Sequence, residues 1–219
     1  MEDKLSVSKI KINFIKRLLS AFVIMPVMIL PIFLSGYILI FVYLLLLSFI
    51  VDELFHIIEN SSYKICLYLY FLITVFSFIT FIILLISSNV KELFILIIFI
   101  IWIFDTFSYL GGTVIKGKKL FPKVSQGKTY SGLFTGLFAI TVIYFLATYY
   151  FNSTYLISYN SVLAIIMLAF VGDIIVSLLK RSASMKDTSN AIPGHGGFLD
   201  RFDSFIFVFF SVGIFFIYY

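Results

Sequence analysis

The sequence predicts an all-α fold, a polytopic bundle of transmembrane helices, on three observations. Hydrophobic residues make up 62% of the 219 positions and charged residues 12%, with a mean hydropathy of +1.12. Soluble domains lie nearer roughly half apolar and roughly a quarter charged. The apolar residues come in long blocks parted by short polar loops, and no block alternates with period two. Helices, not a barrel, must therefore satisfy the backbone in lipid. The basic residues, finally, segregate to one side of the expected membrane, as worked out below.

Seven spans are expected, at 18–35, 37–51, 65–86, 93–110, 131–151, 160–179 and 204–219. The apolar run from Leu18 to Val51 would be roughly 50 Å long as one helix, well beyond a hydrocarbon core of about 30 Å. It is expected to turn at Ser35-Gly36. Pro26 and Pro31 interrupt its first half and no small-x-small cleavage site follows, so it reads as a retained span and not a signal peptide. With the N-terminus in the cytoplasm, fifteen of the 16 Lys and Arg residues face inward and only Lys91 faces out. This is the bias that orients membrane proteins. It also accounts for the net charge of +5 without a nucleic-acid partner. Cys66 stands alone inside an apolar run, a packed or lipid-facing thiol. No internal repeat or linker divides the chain, so residues 1–219 form one integral membrane domain.

Polar chemistry concentrates in two inner loops, 111–130 and 180–203. In "GDIIVSLLKRSASMKD", Asp173, Lys180 and Asp187 recur every seven residues with Ser177 and Ser184 between them, one helical stripe if the sixth helix continues past the interface. Asp173 lies inside the span, where a carboxylate is costly enough to suggest function. The plainer reading pairs it with Lys180 to pin helix packing. The loop beyond carries Lys186, Asp187, His195, Asp200, Arg201 and Asp203 around Gly194, Gly196 and Gly197. Carboxylate oxygens suit Mg²⁺, which usually takes one or two of them and completes its shell with water and phosphate. Lys and Arg neutralise phosphates, and glycines let backbone N–H groups approach them. Together they suit metal-assisted phosphoryl or nucleotidyl transfer.

The other inner loop holds Asp105 and Ser108 at the end of the fourth span, Gly111-Gly112, and "SQGKTYSG". A P-loop is rejected there: Lys123 stands where the first glycine is required, and no strand is expected before Gly127-Lys128-Thr129. Lys128 can still meet a phosphate or anchor its span. Asp52 and Glu53 close the second span, with Glu53 a weaker candidate for supporting the site from a neighbouring helix and His56 an interfacial side chain.

The run "SLLKRSASMKDTSNAIPGHGGFLDRFD", from Ser177 to Asp203, resembles the signature of the CDP-diacylglycerol synthases, or phosphatidate cytidylyltransferases, at every fixed position. Asp105-Thr106, Ser108-Tyr109, the glycine pair, Pro122, Ser125, Lys128-Thr129 and Gly132 look like the family's upstream loop, and "KRLLSAFVIMP" and Glu53 are similar to its first half. Ser131, Gln126-Gly127 and Val176 depart from its usual residues. The resemblance implies a catalytic half at 105–203 and condensation of CTP with phosphatidic acid to CDP-diacylglycerol and pyrophosphate. It implies Mg²⁺, allows a second cation, and allows a homodimer. Asp187 and Asp200 are then the leading metal ligands and Asp173 and Asp203 the next. Lys180, Arg181, Lys186 and Arg201 go to phosphates, and His195 gives a hydrogen bond to a phosphate oxygen. Asp105, Lys128, Ser177, Gly196 and Gly197 line the substrates.

The acyl chains would stay in the bilayer while the headgroup meets CTP at the cytoplasmic surface. A related CTP-dependent transferase acting on an isoprenoid or polyprenol phosphate is the alternative within enzymes. A transporter would need a repeated half and a midplane site, whereas the charge here gathers at one face. Few alanines beside abundant Ile, Phe and Lys favour an A+T-rich genome and a bacterial inner membrane.

Overall fold

The computed structural model describes residues 24–87, 90–151, 157–189, 191–192 and 196–218, without the side chains of Gln126 and Phe151. Helix α1 is the short Ile24–Phe33. It is followed by α2 (Gly36–Asn60), α3 (Lys64–Ser87), α4 (Lys91–Val114), strands β1 (Lys119–Phe121) and β2 (Ser125–Thr129), α5 (Tyr130–Phe151), α6 (Tyr159–Ser182) and α7 (Leu199–Tyr218). Six of these helices, α2 to α7, are long and apolar enough to cross a membrane. The chain is an integral membrane protein. Residues 18–23 of the first expected span, and the basic residues before it, lie outside the described set.

The expected turn is found: α1 stops and Ser35 adopts an extended φ of −65° and ψ of 150° as the N-cap of α2. Three boundaries differ from expectation. Helix α2 runs past residue 51 to Asn60, because nothing in "DELFHIIEN" breaks a helix and hydropathy alone had marked its end. Asp52, Glu53 and His56 therefore ride on its last turns. Helix α6 stops at Ser182, and Ser184 takes a left-handed φ of 58°. The seven-residue stripe is thus cut, with Asp173, Ser177 and Lys180 on the helix and Asp187 beyond it. Helix α7 begins at Leu199 and not at 204, so Asp200, Arg201 and Asp203 stand on its first turns and not in a loop.

One hairpin departs from the all-helical pattern. Strands β1 and β2 pair antiparallel, Lys119 with Thr129 and Phe121 with Ser125. Gly127-Lys128-Thr129 ends β2, which corrects the expectation that no strand precedes it. The Thr129 hydroxyl accepts the Gly132 N–H at 3.1 Å and so caps α5.

Lipid supplies no hydrophobic drive between helices, so close packing must hold them. The α4–α5 pair does this with small residues. Gly132 faces the Ser108 carbonyl, Gly136 faces the Phe104 ring, and Gly111 faces Thr135. In the sequence these are a G-x-x-x-G on α5 set against small residues on α4. This crossing fixes Asp105 of α4 relative to the hairpin bearing Lys128. Between α6 and α7, Gly172 lets the Asp203 backbone approach. Helices α3 and α7 share an aromatic core in which Phe81 stacks on Phe209 at 4.3 Å and meets Tyr43 of α2 and Phe94 of α4 edge-on. The Ser77 hydroxyl reaches across to the Ile206 carbonyl at 3.0 Å.

Gly132→Val should therefore lower the thermal unfolding midpoint in detergent, by about 1–3 kcal/mol of overpacking strain. Gly36→Ala, where an added methyl meets open space, should leave it unchanged. Equal midpoints for both variants would contradict the close crossing.

Candidate active site

The polar side chains gather at one end of the bundle, where α2, α4 and α6 finish and α3, α5 and α7 begin. They divide into a closed group and an open one.

The closed group folds the loop between α6 and α7. Glu53 on α2 is only 6% exposed. Its Oε2 accepts the Thr188 hydroxyl at 2.7 Å and the Leu199 N–H at 2.8 Å. Its Oε1 accepts the Ser189 hydroxyl at 2.6 Å and the Phe198 N–H at 2.9 Å. A negative charge is favoured there because Phe198 and Leu199 are the N-terminal end of α7. Asp200, 7% exposed, closes the same loop from the other side. Its Oδ1 takes the Lys180 ammonium at 2.5 Å. Its Oδ2 takes the N–H groups of Thr188 at 2.9 Å and Gly197 at 3.0 Å. The Thr188 hydroxyl also lies 3.1 Å from that oxygen, but its single proton goes to the nearer Glu53. Two glycines are required by this closeness. A methyl group at Gly197 would overlap the Glu53 carboxylate and the Thr188 hydroxyl, and one at Gly196, whose φ is +79°, would overlap Asp200.

The open group lies just inside, among α4, α6, α7 and the hairpin. Asp173 pairs with Lys128 at 2.7 Å and not with Lys180, which corrects the expected partner. Lys128 also sits 4.4 Å from the centre of the Phe170 ring. The Ser177 hydroxyl points to Asp173 at 3.4 Å. The charges of Asp105, Asp173, Asp203, Lys128, Lys180 and Arg201 act on one another here. Among the described residues the Arg201 Nε is buried without a hydrogen-bond partner. Asp203 accepts the neighbouring Ser204 N–H, at 2.7 Å.

The remaining sequence candidates lie apart. Arg181 gives its Nε to the Val124 carbonyl at 2.9 Å and an Nη1 to Met185 at 2.8 Å, bracing the hairpin turn against the loop. Lys186 and Asp187 are exposed and take part in no hydrogen bond among the described residues. His195 lies outside the described residues. Among the described residues no three His, Cys, Asp or Glu side chains converge to chelate a metal unaided. Sequence reasoning missed Thr188 and Ser189, whose hydroxyls answer Glu53. The only sequence signal for them was their place within the 177–203 run.

Glu53→Gln should loosen this loop. All four groups around the carboxylate are donors, so an amide would set N–H against N–H, and a hydrogen bond to a charged group contributes about 1.5–3 kcal/mol. The expected outcome is faster amide exchange and proteolysis across 184–198 with the remaining helices unchanged. Wild-type protection there would show that Glu53 does not hold the loop.

Phosphatidate cytidylyltransferase of Rickettsia felis is 45% identical over 117 residues, 49% of this chain and 51% of that protein. That of Rickettsia typhi is 44% identical over 129 residues, covering 53% and 56%. That of Staphylococcus aureus is 39% identical over 111 residues, covering 50% and 43%. The chain spans about half the length of the curated relatives it matches. The model of the cytidylyltransferase family matches residues 14–219, nearly the whole chain, and the chain belongs to that family.

Proposed function

We propose that this protein condenses CTP with phosphatidic acid at the cytoplasmic face of a bacterial inner membrane, giving CDP-diacylglycerol and pyrophosphate. The observation that carries this reading is the run from Ser177 to Asp203. Its Lys180–Asp200 pair and its contacts to Glu53 hold the loop, while Asp203 shares its electrostatic surroundings with Asp105, Arg201 and Asp173, the partner of Lys128.

The phosphate monoester of phosphatidate is largely ionised near neutral pH, so its oxygen attacks the α-phosphorus of CTP without a strong base. The bond to the β-phosphate oxygen breaks and pyrophosphate leaves. Catalysis is then alignment and charge neutralisation. Lys128 and Arg201 are the cations nearest the open carboxylates and are assigned to phosphate oxygens. Lys128 would be free to do so if Asp173 were turned to a bound cation. The backbone N–H groups near Gly196 shape the loop beside them.

The donor set fits Mg²⁺. Asp173 and Asp203 offer hard oxygens beside Asp105, and two carboxylates suffice where substrate phosphates complete the shell. When bound, the ion offsets charge on the phosphates and the leaving pyrophosphate. Asp187, exposed and unpaired among the described residues, can add an oxygen from the loop. Asp200 is assigned to the loop and not to the ion, because both of its oxygens are occupied and one faces the Lys180 ammonium. The apolar helices keep the acyl chains in the bilayer while the headgroup enters at the helix mouth.

The purified protein in mixed micelles should convert CTP and phosphatidate to CDP-diacylglycerol with release of pyrophosphate, and a chelator should stop it. Asp203→Asn and Asp173→Asn should each cost at least about 10²-fold in rate, the scale for losing one electrostatic stabiliser, without loss of folding. Turnover with an isoprenoid phosphate in place of phosphatidate would move the substrate. No turnover with any lipid phosphate would overturn the reading.

A further inference from the structure

Tyr70 is an anomaly on α3. It is 3% exposed, and its hydroxyl is buried with no hydrogen-bond partner among the described residues. Such a group costs about 1–3 kcal/mol in a folded protein, so it calls for an explanation. Its neighbours on the same helix face do not share the defect. Thr74 donates to the Tyr70 carbonyl at 2.9 Å, and Ser77 lies 2.6 Å from the Ile73 carbonyl and 3.0 Å from that of Ile206. Phenylalanine would fill the same space without the penalty, and this protein uses 28 of them. The charged groups that act on this hydroxyl are Asp203 and Asp173, the carboxylates of the open group. Among the described residues two further buried polar atoms lack partners, the Ser108 Oγ on α4, which faces Gly136 of α5, and the Arg201 Nε on α7, whose guanidinium charge acts on Asp203 and Asp105.

The Tyr70 hydroxyl and the Arg201 Nε can both donate a proton, they come from different helices, and both groups interact with the charge of Asp203. We propose that Tyr70 is a substrate-binding residue whose hydroxyl donates a hydrogen bond to a phosphate oxygen held at the open group, with Arg201 as its companion. The proposal rests on the functional reading above and adds α3 to a site otherwise built from α4, α6, α7 and the hairpin. A phosphate fits because it brings what these donors lack, several acceptor oxygens, to a spot where the nearest carboxylates do not reach them. The cost of the unpaired hydroxyl is then recovered on binding.

The test is Tyr70→Phe in the full chain, purified in detergent. Without ligand, its unfolding midpoint should equal or exceed that of the wild type, since only an unpaired group is removed. With CTP and Mg²⁺, its ligand-induced rise in midpoint should be smaller than the wild-type rise. Turnover should fall by about 10-fold, the scale for one hydrogen bond to a charged group. An equal rise and an equal rate would overturn the proposal. So would a variant that fails to fold, because the hydroxyl would then have a structural partner. A CTP-induced rise that depends on Tyr70 in a protein that converts no lipid phosphate would uphold Tyr70 and overturn the assigned reaction. No CTP-induced rise in either protein would overturn both.

Discussion

A carboxylate buried at a helix mouth, with no cation paired to it among the described residues, governs the architecture of the site. Among the described residues the ion pairs are Lys128–Asp173 and Lys180–Asp200, and neither includes Glu53. Its charge is carried by two hydroxyls and by the first N–H groups of α7. These N–H groups have no partner within their own helix and would otherwise face apolar surroundings. Glu53 therefore starts α7 where it does, at Leu199. That start point sets the faces of α7 on which Asp200, Arg201 and Asp203 emerge. Asp200 turns back to the loop and to Lys180, while Asp203 shares its electrostatic surroundings with Asp173 and Asp105. One anchor on α2 thus orients the polar groups of a helix that is distant in sequence.

The bilayer imposes the second constraint. Apolar surface does not draw helices together in lipid, so position must come from shape. The glycine-lined crossing of α4 and α5 does this for Asp105 and Lys128, and Gly172 does it for the approach of α7 to α6. Aromatic stacking around Phe81 locks α2, α3, α4 and α7 deeper in the bundle. Polar groups are left to the bundle's end.

Much of this was legible in the sequence. Hydropathy located the six long helices and the turn at Ser35-Gly36, because apolar blocks and breakers are local signals. The residues of the site were also legible as a set, since their spacing in the 177–203 run is dense and unusual. Their partners were not. Asp173 could be paired with Lys180 by helical spacing, yet the hairpin brings Lys128 to it from 45 positions away. Hydropathy ended α2 before Glu53 and began α7 after Asp203, because charged residues read as loop even when a tertiary contact keeps them helical. Tyr70 carried no signal, being one of 14 tyrosines until its hydroxyl was found without a partner among the described residues.

We propose a division of labour among carboxylates: Glu53 and Asp200 hold the loop, and Asp173 and Asp203 are assigned to the metal and its nucleotide. The most direct measurement is an experimental structure of the protein with CTP and Mn²⁺ in place of Mg²⁺, the ion located by its anomalous signal. The account predicts Mn²⁺ on Asp173 and Asp203, with Asp200 still bonded to Lys180, Thr188 and Gly197. Mn²⁺ bound by Asp200, with those bonds broken, would contradict it.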